Sequence, residues 1–129
     1  MESRQILIQS FVVKMNFEMR LTEKPFNRIK KGLKVIEVRL YDDKLKKIKI
    51  GDTITFFEMP ELKEFVKVKI IGLSRFKSFK EFFSFFGTEP FGHPKDITVE
   101  KQVLDMRKYY SEENEKKFGV LGIKFKLLL

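Results

Sequence analysis

Glu37 and Arg39 stand two residues apart in the stretch G-L-K-V-I-E-V-R, residues 32–39. In an extended segment such a spacing puts a carboxylate and a guanidinium on one face. There the carboxylate can accept from an amino group and the guanidinium can reach a carbonyl or a phosphate. The bland alternative is a salt bridge on a wet face, worth at most about 1 kcal/mol. Lys34, three residues before Glu37, can hold a phosphate or activate a nucleophile, or can be a solvated residue at a helix–strand junction. Lys44, Lys46, Lys47 and Lys49 form a basic run able to contact phosphates, or an exposed connector. His93 is the single histidine and there is no cysteine, so no metal-ligand set forms, and His93 reads as a loop residue. No Walker or dinucleotide glycine pattern and no nucleophile–histidine arrangement is present, and no cofactor is expected.

The elements that must position these residues follow from periodicity. Phe17, Met19 and Leu21 alternate with Asn16, Glu18 and Arg20 as a strand. Pro25 opens a short helix carrying Phe26, Ile29 and Leu33, with Gly32 at its C-terminal end. Val35–Tyr41 is a strand with Glu37 and Arg39 on one face. Lys47–Ile50 reads as a short extended piece, and Gly51-Asp52 as a tight turn shaped by Asp52. Strands follow over Thr53–Met59 and around Val66, Val68 and Ile70. Ser78 and Glu81 form a capping box before a helix whose Phe79, Phe82, Phe83 and Phe86 read as core. Phe85 falls off that stripe and is open as a stacking platform, as are Tyr109 and Tyr110. Thr98 and Ser111 cap two further helices, the first carrying Val99, Val103, Met106 and Tyr110, and Gly119 closes the second. A last strand carries Ile123, Phe125 and Leu127 inward. It must pair with earlier strands, so the expected class is α+β, a small mostly antiparallel or mixed barrel flanked by short helices.

The chain has 129 residues, 43% hydrophobic and 35% charged, which suits one folded domain over 15–129. Residues 1–14, with an apolar run at Ile6–Val13, read as an extension: an extra strand, an oligomer contact or a translated leader. No apolar run reaches membrane-spanning length and no secretory pattern opens the chain, so a cytoplasmic protein without membrane contact is expected, monomeric or dimeric. A net charge of +9 attracts polyanions, chiefly nucleic acid.

With these residues in order, the chain resembles the ASCH domain (activating-signal-cointegrator homology), within the PUA-like fold group. The matching residues are Pro25-Phe26 and Ile29, then Gly32-x-Lys34-x-Ile36-Glu37-x-Arg39-Leu40. Asp43-Lys44, Ile48-x-Ile50-Gly51-Asp52-x-Ile54-x-Phe56, the Ser78-Phe79 helix and Phe118–Ile123 complete the series. The resemblance implies a small β-barrel with a cleft at its side and a role in binding RNA or a modified nucleoside. It favours site roles for Lys34, Glu37 and Arg39, with Lys44 and Lys47 as further ligand contacts. Some relatives are amidohydrolases that deacetylate acetylcytidine with a threonine nucleophile where this chain has Glu37. A hydrolase acting on an acetylated nucleoside or RNA, with Lys34 and Glu37 in its active site, is the second expectation, and a protein-interaction module is the third.

Overall fold

The structure is a computed structural model, described here for residues 13–128. Five strands, β1 (Asn16–Leu21), β2 (Ile36–Leu40), β3 (Thr53–Glu58), β4 (Phe65–Phe76) and β5 (Val120–Leu127), form one mixed sheet in the order β1-β3-β4-β5-β2. Only β1–β3 is parallel, with Phe17 opposite Ile54; the other pairs are antiparallel. A register shift in β4 between Ile70 and Gly72 lets this long strand bend. The sheet curls into a half-barrel whose edge strands, β1 and β2, approach each other: Arg39 Nη2 on β2 donates to the Arg20 carbonyl on β1 at 3.3 Å. The α+β expectation of a small mixed barrel flanked by helices holds.

Among the described residues four helices dress this sheet: α1 (Glu23–Lys30), α2 (Phe79–Phe86), α3 (Val99–Met106) and α4 (Glu112–Phe118). Ser78, Thr98 and Ser111 accept from backbone amides three residues on, as N-caps should. The inward alternation of β1, β3, β4 and β5 buries Met19, Ile54, Phe56, Val68, Ile70 and Ile123 with Phe26 and Ile29 of α1 inside the curl. A second apolar cluster sets Ile36, Val38 and Leu40 of β2 against Phe79, Phe82 and Phe83 of α2. The phenylalanine stripe is therefore core, as its spacing predicted. Phe85 is 72% exposed, with its ring beside those of Phe76 and Phe86, at 5.6 and 4.9 Å between ring centroids.

Three local expectations need correction. Leu33 is 56% exposed and outside α1, because Gly32 at φ 77° turns the chain out of the helix. Lys47–Ile50 forms no strand: Leu45–Lys47 is a 3-10 turn, with Leu45 N donating to Asp42 Oδ1 at 3.1 Å, and Ile48 after it is extended. Local hydrogen bonds win there over the alternation, and Leu45 and Ile48 bury on one side. Leu127, expected inward, is exposed at the end of β5. Asp52 does shape its turn, accepting from Met15 N and Lys49 N, both at 2.9 Å. The strand expected over Ile6–Val13 lies, Val13 apart, outside the described residues.

Candidate functional site: a cationic cleft at the open edge of the half-barrel

After Gly32, the amides of Leu33 and Lys34 both return to the Arg28 carbonyl, at 2.8 and 3.1 Å. Val35 N then bonds the Pro90 carbonyl at 2.8 Å, and Phe125 N bonds the Val35 carbonyl at 3.0 Å. This pins the backbone on which Lys34 stands before β2 begins. The strand's other face carries Ile36, Val38 and Leu40 into the apolar cluster, so Glu37 is driven under the protein surface, 3% exposed. Lys34, 8% exposed, meets it there.

Glu37 serves both cations at once. Lys34 Nζ lies 2.9 Å from Oε1 and Arg39 Nε donates to Oε2 at 2.8 Å, while Val38 N donates to Oε1 at 3.2 Å. Burial by itself pushes the Glu37 carboxyl upward; the Lys34 ammonium and the Arg39 guanidinium overcome this and hold it down at about 2. Burial tends to lower the Arg39 pKa, and the Glu37 carboxylate more than offsets it, so the guanidinium is raised. The wet-face salt bridge is thus corrected: this is a buried three-residue cluster, two cations to one anion.

A cavity of about 800 Å³ opens over the cluster. Its size is that of a small-molecule site. Lys34, Glu37 and Arg39 all line it, together with Arg20, Lys24, Arg28, Lys101 and Lys108 and the acidic Glu23 and Asp105. Positive side chains therefore outnumber negative ones by more than two to one. Tyr109 and Tyr110 supply accessible aromatic surface, and Phe83 and Phe91 stand buried behind the cavity wall. Lys44 lines a neighbouring cavity of about 650 Å³ on the other side of Arg20 and Arg39, and Lys47 lines neither. Phe85 also lies outside both. Among the described residues no group of three His, Cys, Asp or Glu side chains is placed to hold a metal ion, and no helix is long and apolar enough to cross a membrane.

Sequence reasoning missed two residues here. His93 is no bystander in its loop: it lines the cavity, and its ring lies 5.6 Å from that of Phe91. Gly92, at φ 69°, lets the loop close on α1, where a Cβ would stand 3.2 Å from Arg28 Cδ. Gln102 is 1% exposed and its Nε2 lies 3.0 Å from His93 Nδ1. The signal was available for Gln102, which falls on the buried stripe of α3 between Val99 and Val103. Tyr110, half-buried, stacks on Phe79 at 5.8 Å and faces Arg39. Burial raises its pKa, against the lowering effect of Arg39.

A family model for the ASCH domain matches residues 19–129. The chain belongs to the ASCH-domain family. Among solved structures, the hypothetical protein PH0355 is 39% identical, with a TM-score of 0.76 over 88% of this chain and 100% of its own. Protein PF0455 from Pyrococcus furiosus is 34% identical, with a TM-score of 0.67 over 88% of this chain and 98% of its own. An ASCH domain from Lactobacillus crispatus shares the fold at 15% identity, with a TM-score of 0.58 over 98% of this chain and 94% of its own. A search of curated proteins finds no match. The PUA-like fold of this family is consistent with RNA binding, and the ASCH domain described here carries its cationic cleft along the motif strand.

Proposed function

We propose that this ASCH domain binds RNA or a modified nucleoside in the cleft above Lys34, Glu37 and Arg39. The observation that carries the reading is the charge of the cleft floor. Two cations share one buried carboxylate, so positive charge remains for a ligand oxygen or phosphate. Glu37 is the positioning group: it fixes where the ammonium and guanidinium stand, and an anionic or carbonyl-bearing ligand meets cations already ordered for it. Tyr109 and Tyr110 at the cavity wall give a base a surface to stack on. Lys44, in the neighbouring cavity, is a second-line phosphate contact, and Lys47 contributes only long-range attraction.

Hydrolysis with Glu37 as acid is disfavoured by the same geometry. A carboxyl held at about 2 carries no proton near neutral pH, and its oxygens are engaged by Lys34, Arg39 and Val38 N. The hydroxyls lining the cavity are those of Thr22, Tyr109 and Tyr110, none of them at the position where the acetylcytidine amidohydrolases carry their threonine.

The test is fluorescence anisotropy of a labelled single-stranded RNA at low and moderate salt, with Arg39→Ala and Lys126→Glu alongside. Lys126 lies on the outer face of β5, directly across from Lys69, and lines neither cavity. Arg39→Ala is expected to weaken binding about tenfold at moderate salt. Lys126→Glu is expected to act mainly at low salt, through the nonspecific term. Equal losses in both variants, vanishing together with salt, would show that the attraction is generic and the cleft plays no part.

A further inference from the structure

Gln102 reaches from α3 to two acceptors at once. Its Nε2 donates to the Gly87 carbonyl at 3.0 Å and stands 3.0 Å from His93 Nδ1. A carbonyl oxygen can only accept, so the amide nitrogen must face Gly87; turning the amide over would set Oε1 against another acceptor. One hydrogen of the NH2 group thus goes to Gly87 and the other to His93. Nδ1 must then present its lone pair, and the neutral ring carries its proton on Nε2. A protonated ring would set N–H against N–H. The charges around the ring agree with the neutral form: burial, Arg28 and Lys34 all push the imidazole down, to about 4, and Asp105 alone opposes them.

The remaining Nε2–H belongs to a ring that lines the cleft beside Lys34 and Arg39. Those two are donors only. Glu37, the buried carboxylate at that end, has both oxygens engaged by its neighbours. Asp105, the other carboxylate near the ring, holds Lys101 at 3.1 Å and Lys108 at 3.7 Å, both on Oδ1. The end of the cleft around His93 is therefore richer in donors than in acceptors and favours oxygen atoms on a ligand. The ring packs on the buried Phe91, 5.6 Å between centroids, which fixes its plane in the cleft wall.

We propose that Gln102 holds His93 as a neutral Nε2–H donor, and that this donor reads the C4 position of the bound base, so that uracil is taken in preference to cytosine. The inference rests on the nucleic-acid reading above and deepens it. Uracil and cytosine share shape, charge and phosphate backbone; they differ at C4, a carbonyl oxygen against an amine, and at N3, an N–H against a lone pair. The amine would bring hydrogens against a donor, which leaves both unsatisfied; the carbonyl accepts. The backbone attraction is the same for both and cancels in the comparison.

The experiment has two arms on the full chain. Because His93 is the single histidine, a long-range nitrogen–proton correlation spectrum of uniformly labelled protein reads its tautomer without assignment. The expected result is an unprotonated Nδ1 and a protonated Nε2, and loss of that single-tautomer signature in Gln102→Met. The second arm compares octamers of uridine and cytidine by anisotropy at moderate salt. Uridine is expected to bind about tenfold tighter, with the ratio falling toward one in both His93→Phe and Gln102→Met. His93→Phe keeps the ring packed on Phe91, and far-UV circular dichroism melts of both variants check folding. A proton on Nδ1, or a preference that survives in both variants, would overturn the proposal. Equal binding of the two octamers, weakened in Arg39→Ala, would overturn it and leave the RNA reading standing. Binding of neither octamer would overturn both.

Discussion

Lys34 Nζ stands 2.9 Å from Glu37 Oε1 with both side chains nearly fully withdrawn from water. A pair in such a place is not a surface ornament. Removing the charge of one partner leaves the other as an uncompensated buried ion, and that cost far exceeds the worth of an exposed pair.

Glu37→Gln therefore strands Lys34 and Arg39 without their shared anion. We expect a loss of about 3 kcal/mol in unfolding free energy, read by urea denaturation at neutral pH. Lys34→Met should cost less, because Glu37 keeps its bond to Arg39 at 2.8 Å. A Glu37→Gln protein as stable as its parent would mean that water reaches the cluster.

Acid should unfold the protein in two stages. His93 has its pKa lowered from 6.5 to about 4, so the unfolded chain takes up that proton first, and stability falls as pH drops from 6.5 toward 4. Glu37 is lowered from 4.5 to about 2, so the stability it contributes is fully present above 4.5 and is lost as pH falls through 2. His93→Phe should remove the upper stage and leave the lower one. Thermal melts taken from pH 7 to pH 2 would show it, and a flat profile between pH 7 and pH 4 would contradict the lowered imidazole.

Gly122 sits on β5 where a Cβ would come within 2.6 Å of both Phe82 Cε1 and Ser74 Oγ. Phe82 is fully buried and cannot swing aside. Gly122→Ala should cost about 1–3 kcal/mol by overpacking, measured by the urea midpoint. No change in the midpoint would show that α2 shifts freely on the sheet.

The strands and helices were readable wherever one face had to be buried. The alternations in β1 and β5 and the stripe Phe79, Phe82, Phe83 carried their own periods, and the serine and threonine caps marked helix starts. Reading failed where local hydrogen bonding outweighed patterning, as at Lys47–Ile50, whose alternating lysines looked like an extended piece but follow on from the 3-10 turn Leu45–Lys47. The Lys34, Glu37 and Arg39 grouping was visible as a spacing along one strand and the junction before it, with its charges named but not its burial. The partnership of His93 and Gln102, nine residues apart across a loop and a helix, had no periodicity to announce it.

From residue types and order alone came the class of fold, the motif strand, the excess of positive charge and the family likeness. These depend on short-range patterns: which side chains alternate, which amide is capped, which charges sit near in sequence. Tertiary structure decided whether Glu37 meets water or two cations, which lysines share its cleft, and which nitrogen of His93 carries a proton. Those outcomes depend on the approach of β2 to β1, on α3 packing against the loop after Gly87, and on the low dielectric that this packing creates. Burial turns a spacing into an energy, and burial is a property of elements distant in the chain.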